Sequence, residues 1–318
     1  MTAYIIRRLL QTVLVLFIVT FYVFMILHIL PGDPLMLYIS QSQMGSLAPE
    51  QLEALRHEFG LDKPIPTQYV DWIGGVFGGN LGSSIFLGDK VLKLVAESLP
   101  ITVHLGITAM LIACILGIAS GVICALRRGK WLDTMLTVLA NAGITIPNFW
   151  AGILLIYLFG LKLGWLPIFG YTSPFDDFSL STRQMLMPVF CLSLFGVAAL
   201  TRQTRSSMLE VVRQDYIRTA WAKGLSERVV VLRHTLKNAL IPIVTLLGMQ
   251  VRFLVGGSVV IETVFSIPGM GRLLVEAIFA HDYQVVQGCV LIIAIVVAIS
   301  NLIVDISYAW LDPRIRYD

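Results

Sequence analysis

Residues 10–30 read LQTVLVLFIVTFYVFMILHIL, and near the other end Val290–Ile299 reads VLIIAIVVAI. A helix needs about 20 mostly apolar residues to cross the hydrocarbon of a bilayer. These runs are continuous and do not alternate apolar with polar, as a lipid-facing barrel strand would. Working outward from them, six stretches qualify: 9–30, 100–126, 134–160, 185–201, 239–260 and 287–311. The fourth is the shortest and the fifth carries Arg252. The composition agrees. Of 318 residues, 57% are hydrophobic and 14% charged, where a soluble domain carries about 25% charge, and mean hydropathy is +0.81. This excludes an ordinary soluble enzyme, a disordered tail and a DNA-binding module. A net charge of +3 is too slight to imply a nucleic-acid partner. The expected fold is an all-α integral membrane protein of six transmembrane helices.

Arg7 and Arg8 before the first run resemble the start of a signal peptide. The run is longer than a signal h-region and ends in Leu30-Pro31-Gly32-Asp33-Pro34 with no small-residue cleavage site, so a retained anchor helix is expected. Basic residues set the orientation. Fifteen of the 23 fall in one set of loops, including Arg127, Arg128, Lys130, eight between Arg202 and Lys237, Arg314 and Arg316. Seven fall in the other, and the acids divide the opposite way. Both termini are therefore expected in the cytoplasm, which an even number of spans requires.

One domain is expected over residues 1–318. It comprises an N-terminal helix to residue 30, an extracytoplasmic loop over 31–98, core helices over 99–311 and a cytoplasmic tail at 312–318. In the outer loop, PEQLEALRHEF at 49–59 reads as a short amphipathic helix with Pro49 first and Leu52, Leu55 and Phe59 on one face. Gly60, Pro64 and Pro66 end it, and Gly74, Gly75, Gly78, Gly79 and Gly82 read as turns. Cys114, Cys124, Cys191 and Cys289 all lie in apolar segments and have no metal-ligand spacing, so no metal site is expected.

The cytoplasmic segment 202–238 is the most informative. Its apolar positions recur at three and four, predicting a helix over 206–223 broken by Gly224. It reads either as a basic helix on anionic lipid headgroups or as a helix that docks into a groove of a cytoplasmic partner. No Gly-x-x-x-x-Gly-Lys-Ser/Thr, Gly-x-Ser-x-Gly or His-Glu-x-x-His pattern occurs. Neither nucleotide binding by a P-loop nor catalysis is therefore expected of this chain, and no cofactor. Arg252 lies about 20 Å into its span, where burial costs at least ~2.5 kcal/mol. It lines a watery path, pairs with an acid on another subunit, or snorkels. Gln250 and Glu262 are grouped with it as translocation-path residues. Asp305 is the other intramembrane charge.

Asp215-Tyr216-Ile217-Arg218-Thr219-Ala220-Trp221-Ala222-Lys223-Gly224-Leu225 resembles the cytoplasmic loop of bacterial ABC importer permeases of the dipeptide, oligopeptide and nickel branch. Arg218, Thr219 and Ala220 stand where the superfamily has Glu-Ala-Ala, and Gly224 is its Gly; the later Pro falls on Lys237. Further resemblances run along the chain in order: Gly60-Leu61-Asp62-Lys63-Pro64, Asn80-Leu81-Gly82-Ser83, Glu97-Ser98-Leu99-Pro100, Glu262-Thr263-Val264-Phe265, Pro268-Gly269-Met270-Gly271, Asp282-Tyr283-Gln284, and Asp312-Pro313-Arg314. Arg252 departs from the branch. The resemblance implies a binding-protein-dependent permease of the bacterial inner membrane, carrying peptides or a similar small solute. Its partners would be a second homologous permease, two ATP-binding subunits that use ATP and Mg, an extracytoplasmic substrate-binding protein and lipid. Asp215, Tyr216, Arg218, Thr219, Ala220, Lys223 and Gly224 would couple to the ATPase. The alternative class is a secondary transporter or channel acting alone.

Overall fold

The computed structural model describes residues 2–29, 35 and 49–311, and their side chains apart from 2–5, 49, 58, 251–257 and 303–311. The Leu30–Pro34 motif and the 312–318 tail lie outside the described residues. Every regular element among those described is helical, and the one pairing of extended backbone is a bridge between Ser83 and Lys90. In chain order the helices are α1 (Thr2–Ile29), α2 (Pro49–Glu58), α3 (Ile65–Phe77), α4 (Val91–Leu126), α5 (Trp131–Thr145) and α6 (Asn148–Leu155). There follow α7 (Phe178–Val211), α8 (Asp215–Ala222), α9 (Glu227–Val229), α10 (Lys237–Val264), α11 (Met270–Phe279) and α12 (Tyr283–Leu311). π-Helical segments extend α6 over Ile156–Lys162 and join α9 to α10 over Val230–Leu236.

Among the described residues, five helices are long and apolar enough to cross a membrane: Ile6–Ile29, Val91–Leu126, Phe178–Val211, Glu227–Gln250 and Tyr283–Leu302. The sixth expected span, 134–160, is instead two helices, α5 and α6, whose axes turn through 102°. Pro147 explains the break. A proline drives the residue before it out of the helical region, and Ile146 (ψ 122°) and Pro147 (ψ 131°) are both extended. Pro100, Pro188 and Pro242 interrupt nothing and sit inside α4, α7 and α10. The fourth span, expected as the shortest, is part of the 34-residue α7.

Among its described residues, the segment expected as an outer loop is more helical than the turn residues suggested. Pro64 precedes α3 and Pro66 occupies its first turn, where the missing N–H has no helical partner to lose. Gly74 and Gly75, read as turns, lie within α3. α4 begins at Val91, inside the segment assigned to the loop.

The contacts divide the chain into two units. One holds residues up to Ile101 together with Pro268–Ile299. Its core joins Leu81, Val91, Val95, Met270, Ala277, Val286 and Cys289. α3 grips α1 through Tyr69, whose ring meets Phe17, Phe21 and Phe24 edge-on at 5.1–6.0 Å and whose hydroxyl lies 3.2 Å from Thr20 Oγ1. The N-terminus of α12 is stapled to the 82–91 loop. Buried Asp282 accepts from the Ser84 hydroxyl, and Gln284 Oε1 accepts from Ser83 N at 2.6 Å. Burial pushes the Asp282 carboxyl above its ordinary pKa, and the Ser84 hydrogen bond offsets part of that.

The other unit runs from Thr102 to Ile267 and resumes at Ser300. α7 is its centre, packed against α10, α5 and α6. Close approach requires small residues. A Cβ at Gly117 would stand 2.6 Å from Leu200 Cβ, and one at Gly121 would stand 2.4 Å from Thr204 Cβ and 2.7 Å from the Thr201 carbonyl oxygen. The Gly-x-x-x-Gly spacing thus brings α4 onto α7 at backbone contact, the geometry that packs helices where burial of apolar surface gives no preference over lipid.

Candidate functional site

The segment expected in the cytoplasm and predicted as one helix over 206–223 is two. α7 runs on to Val211, the chain turns at Val212–Gln214, and α8 begins at Asp215. Gln214 is extended (ψ 146°), which ends one helix and starts the next. Asp215 in the first turn favours the positive end of the helix dipole, and its backbone carbonyl accepts from Thr219 Oγ1 at 3.0 Å. Ile217 and Ala220, three apart, are 1% and 6% exposed and pack on Val230, Val211 and Leu225. The apolar face expected to enter a partner's groove is therefore spent on this chain's own core, and Ala220 with it.

What α8 presents outward is different. At 100° per residue, Asp215, Arg218, Thr219 and Ala222 form the face opposite Ile217 and Ala220. All four are exposed. Arg218 and Asp215 pair at 3.4 Å, but both are largely in water, so the pair orients charge more than it stabilises. Tyr216 and Trp221 flank the buried face on either side, 45% and 47% exposed. Tyr216 is held in place by Asn238 Nδ2, which donates to its hydroxyl at 3.0 Å. Trp221 was not singled out from the sequence. Large exposed aromatics beside a polar ridge are the composition of a protein interface.

α8 ends in a Schellman turn. Gly224 N donates to the Trp221 carbonyl at 2.9 Å and Leu225 N to that of Ala220 at 3.4 Å, and Leu225 packs in the same cluster as Ala220. Gly224 has φ 75°, and the space around it is open. The requirement for glycine is thus conformational: a side chain there costs about 1–2 kcal/mol of backbone strain. Gly224→Val is expected to tilt α8 and to lower the thermal stability of the protein in detergent by about 1–2 kcal/mol. Gly224→Asn, which tolerates the left-handed region, should lose much less. Equal behaviour of the two variants would refute this account of Gly224.

Two residues that the sequence reading passed over anchor this end of the unit. Asp133, 5% exposed, receives Arg205 Nε and Nη2, each at 2.8 Å, on its two carboxylate oxygens, and Gly129 N at 3.0 Å. The pair ties α5 to α7 just before α7 leads into α8. A carboxylate two residues into a helix gives no signal of its own in one sequence; only the fold brings Arg205 to it.

Two of the residues grouped as a translocation path, Gln250 and Glu262, lie apart on α10. Gln250 is 8% exposed, its Oε1 lies against the backbone of Gly196, and its Nε2 has no acceptor among the described residues. Glu262, twelve residues on and so about 18 Å along the axis, is fully buried and accepts from Thr102 Oγ1 at 2.8 Å. The side chain of Arg252 lies outside those described, as does that of Asp305.

Comparison with known proteins gives a consistent result. A family model described as the binding-protein-dependent transport system inner membrane component matches residues 116–317, and its N-terminal companion matches residues 1–106. The chain is 43% identical over 319 residues to a protein of Brucella abortus named as a peptide transport system permease, covering 100% of both. It is 39% identical over 320 residues to the oligopeptide transport system permease protein AppB of Bacillus subtilis, again covering 100% of both. Among solved structures, it is similar to a chain of the inward-facing MetNI methionine ABC transporter. The TM-score is 0.58 at 16% identity, over 70% of this chain and 97% of that one, a likeness of fold.

Proposed function

Because the chain belongs to the binding-protein-dependent transport system inner membrane components, as an ABC importer permease of the peptide and oligopeptide type, we propose that it forms half of a pore for peptides or a similar small solute. A second, homologous permease supplies the other half. Both termini and α8 lie in the cytoplasm, and the 31–98 segment lies outside, where a binding protein delivers cargo. ATP and Mg are used by two separate ATPase subunits, in keeping with the absence of any P-loop pattern from the sequence. The chain itself is a transport subunit.

The observation that carries this reading is the build of α8. Its apolar side is fixed to the chain, so the helix is a rigid projection with a polar, aromatic-flanked face. A projection of this kind transmits a push. When the ATPase subunits close on nucleotide, the groove holding α8 moves, and Ile217 and Ala220 pass that displacement to the π-helical segment through Val230. The Asp133–Arg205 pair carries it into α5 and α7. Such a rigid, two-sided contact is what coupling between distant sites requires. Lipid remains a partner of the apolar helix faces, such as Leu10, Leu14 and Phe17 on α1.

The test is reconstitution. In proteoliposomes containing this chain, its companion permease and both ATPases, with binding protein and ATP present, solute should accumulate. This chain alone should accumulate none. Uptake driven by a proton or sodium gradient without the ATPases would replace this reading with that of a stand-alone secondary transporter or channel.

A further inference from the structure

An open groove of about 510 Å³ runs along the second half of α4, beside the π-helical segment Val230–Leu236. Ile115, Ile118, Val122 and Ile123 form one wall and Leu232 and Leu236 the other, and no charged, hydroxyl or amide side chain lines it. Ile115, Ile123 and Leu232 are 67%, 41% and 50% exposed. From Cys114 to Ile123 the groove follows the helix for about 14 Å, close to the hydrocarbon depth of one leaflet, about 15 Å. Its walls are mostly branched side chains. Helices that associate within a membrane approach through small residues, as Gly117 and Gly121 do on another face of α4. A flexible hydrocarbon chain fits these walls better than a helix does.

One end of the groove is basic. α4 and α10 run antiparallel: Cys114 and Ile118 pack with Ile243, whereas Val122 and Ala125 pack with Val231 and Leu236. The end of α4 therefore lies beside the start of the π-helical segment. Arg127 stands one turn beyond Ile123, its N–H donating to the Ile123 carbonyl at 2.9 Å, and Arg128 follows. Arg228 stands one turn before Leu232, and Arg233 directly after it. All four arginines are exposed, and none makes an ion pair among the described residues. The nearby Asp133 carboxylate is already taken by Arg205. An apolar slot one leaflet deep, with guanidinium groups at its mouth, matches the two-part chemistry of a phospholipid. We propose that this groove binds one anionic phospholipid of the cytoplasmic leaflet, an acyl chain along α4 and the phosphate on the arginines. The choice of leaflet rests on the reading above, which places this end of α4 in the cytoplasm.

The experiment uses the assembled permease–ATPase complex, delipidated in detergent, and native mass spectrometry with phosphatidylglycerol and phosphatidylcholine of identical acyl chains. Both carry a phosphate, and only the first has a net negative charge. Phosphatidylglycerol should bind about tenfold more tightly. Arg127→Gln with Arg228→Gln should weaken it about thirtyfold, roughly fivefold per charge. Ala119→Trp, which fills the groove and leaves the arginines in place, should weaken both lipids. If Ala119→Trp fails to assemble, the arginine variant decides. Benzoylphenylalanine in place of Leu232 should cross-link to lipid. Cross-linking to the companion permease instead overturns the proposal and makes the groove a contact between permeases. Equal binding of the two lipids, or wild-type binding by the variants, also overturns it. These outcomes leave the permease reading standing; that reading fails if the ATPases do not associate with the wild-type chain.

Discussion

Replacing Trp221 by glutamate should leave the protein in the membrane and cost it its ATPase subunits. Trp221 is half exposed on a segment rich in charge, and it is not part of the cluster of Ile217, Ala220, Val230, Val211 and Leu225 that fixes α8. The cluster that fixes α8 is kept when it is replaced. Interfaces concentrate their energy in such aromatics, and loss of one costs about 2–4 kcal/mol, a weakening of about 30- to 1000-fold. A carboxylate in its place adds a desolvation cost. The measurement is the number of ATPase chains recovered per permease after affinity purification. Trp221→Phe should retain much of the association. If Trp221→Glu binds the ATPases as wild type does, α8 is not the docking element. If stripping Arg213, Arg218 and Lys223 of charge releases the segment from vesicles with the ATPases still bound, the helix is a lipid contact.

Asp133→Ala should destabilise the protein by about 3 kcal/mol. The loss has two sources. Arg205 keeps its charge with no partner, and Gly129 N loses its acceptor in the turn joining α4 to α5. The figure sits at the low end for a broken buried pair because the Arg205 side chain is 33% exposed and water takes up part of its charge. The double replacement Asp133→Leu with Arg205→Met should recover part of the loss, since an apolar pair of similar size often matches a buried ion pair. Thermal unfolding in detergent measures both. An Asp133→Ala protein with unchanged stability would show that the pair holds nothing together.

How much of this could be read in advance varies with the physics. The spans of α1, α4, α7 and α12 are set by apolar length, which one sequence displays directly. The break at Ile146–Pro147 was visible as a proline, yet Pro100, Pro188 and Pro242 look no different and interrupt nothing; packing decides which proline bends a helix. α3 was hidden because Gly74 and Gly75 carry a turn signal that neighbouring contacts with α1 override. The position of α8 was legible from the 215–225 motif. The direction of its apolar face was not, since the periodicity that marks a face says nothing about whether the occupant is a partner or the chain itself.

The Ser84–Asp282 and Ser83–Gln284 contacts join positions about 200 residues apart in the chain. Their unit is made from the first hundred residues and a piece near the end, with the rest of the polypeptide inserted between. A ribosome must therefore synthesise nearly the whole chain before that unit has its second part. Until then the polar wall of the nascent N-terminal segment stands open beside the bilayer. Closing so long a loop is intrinsically slow, so this unit is completed only late in biogenesis.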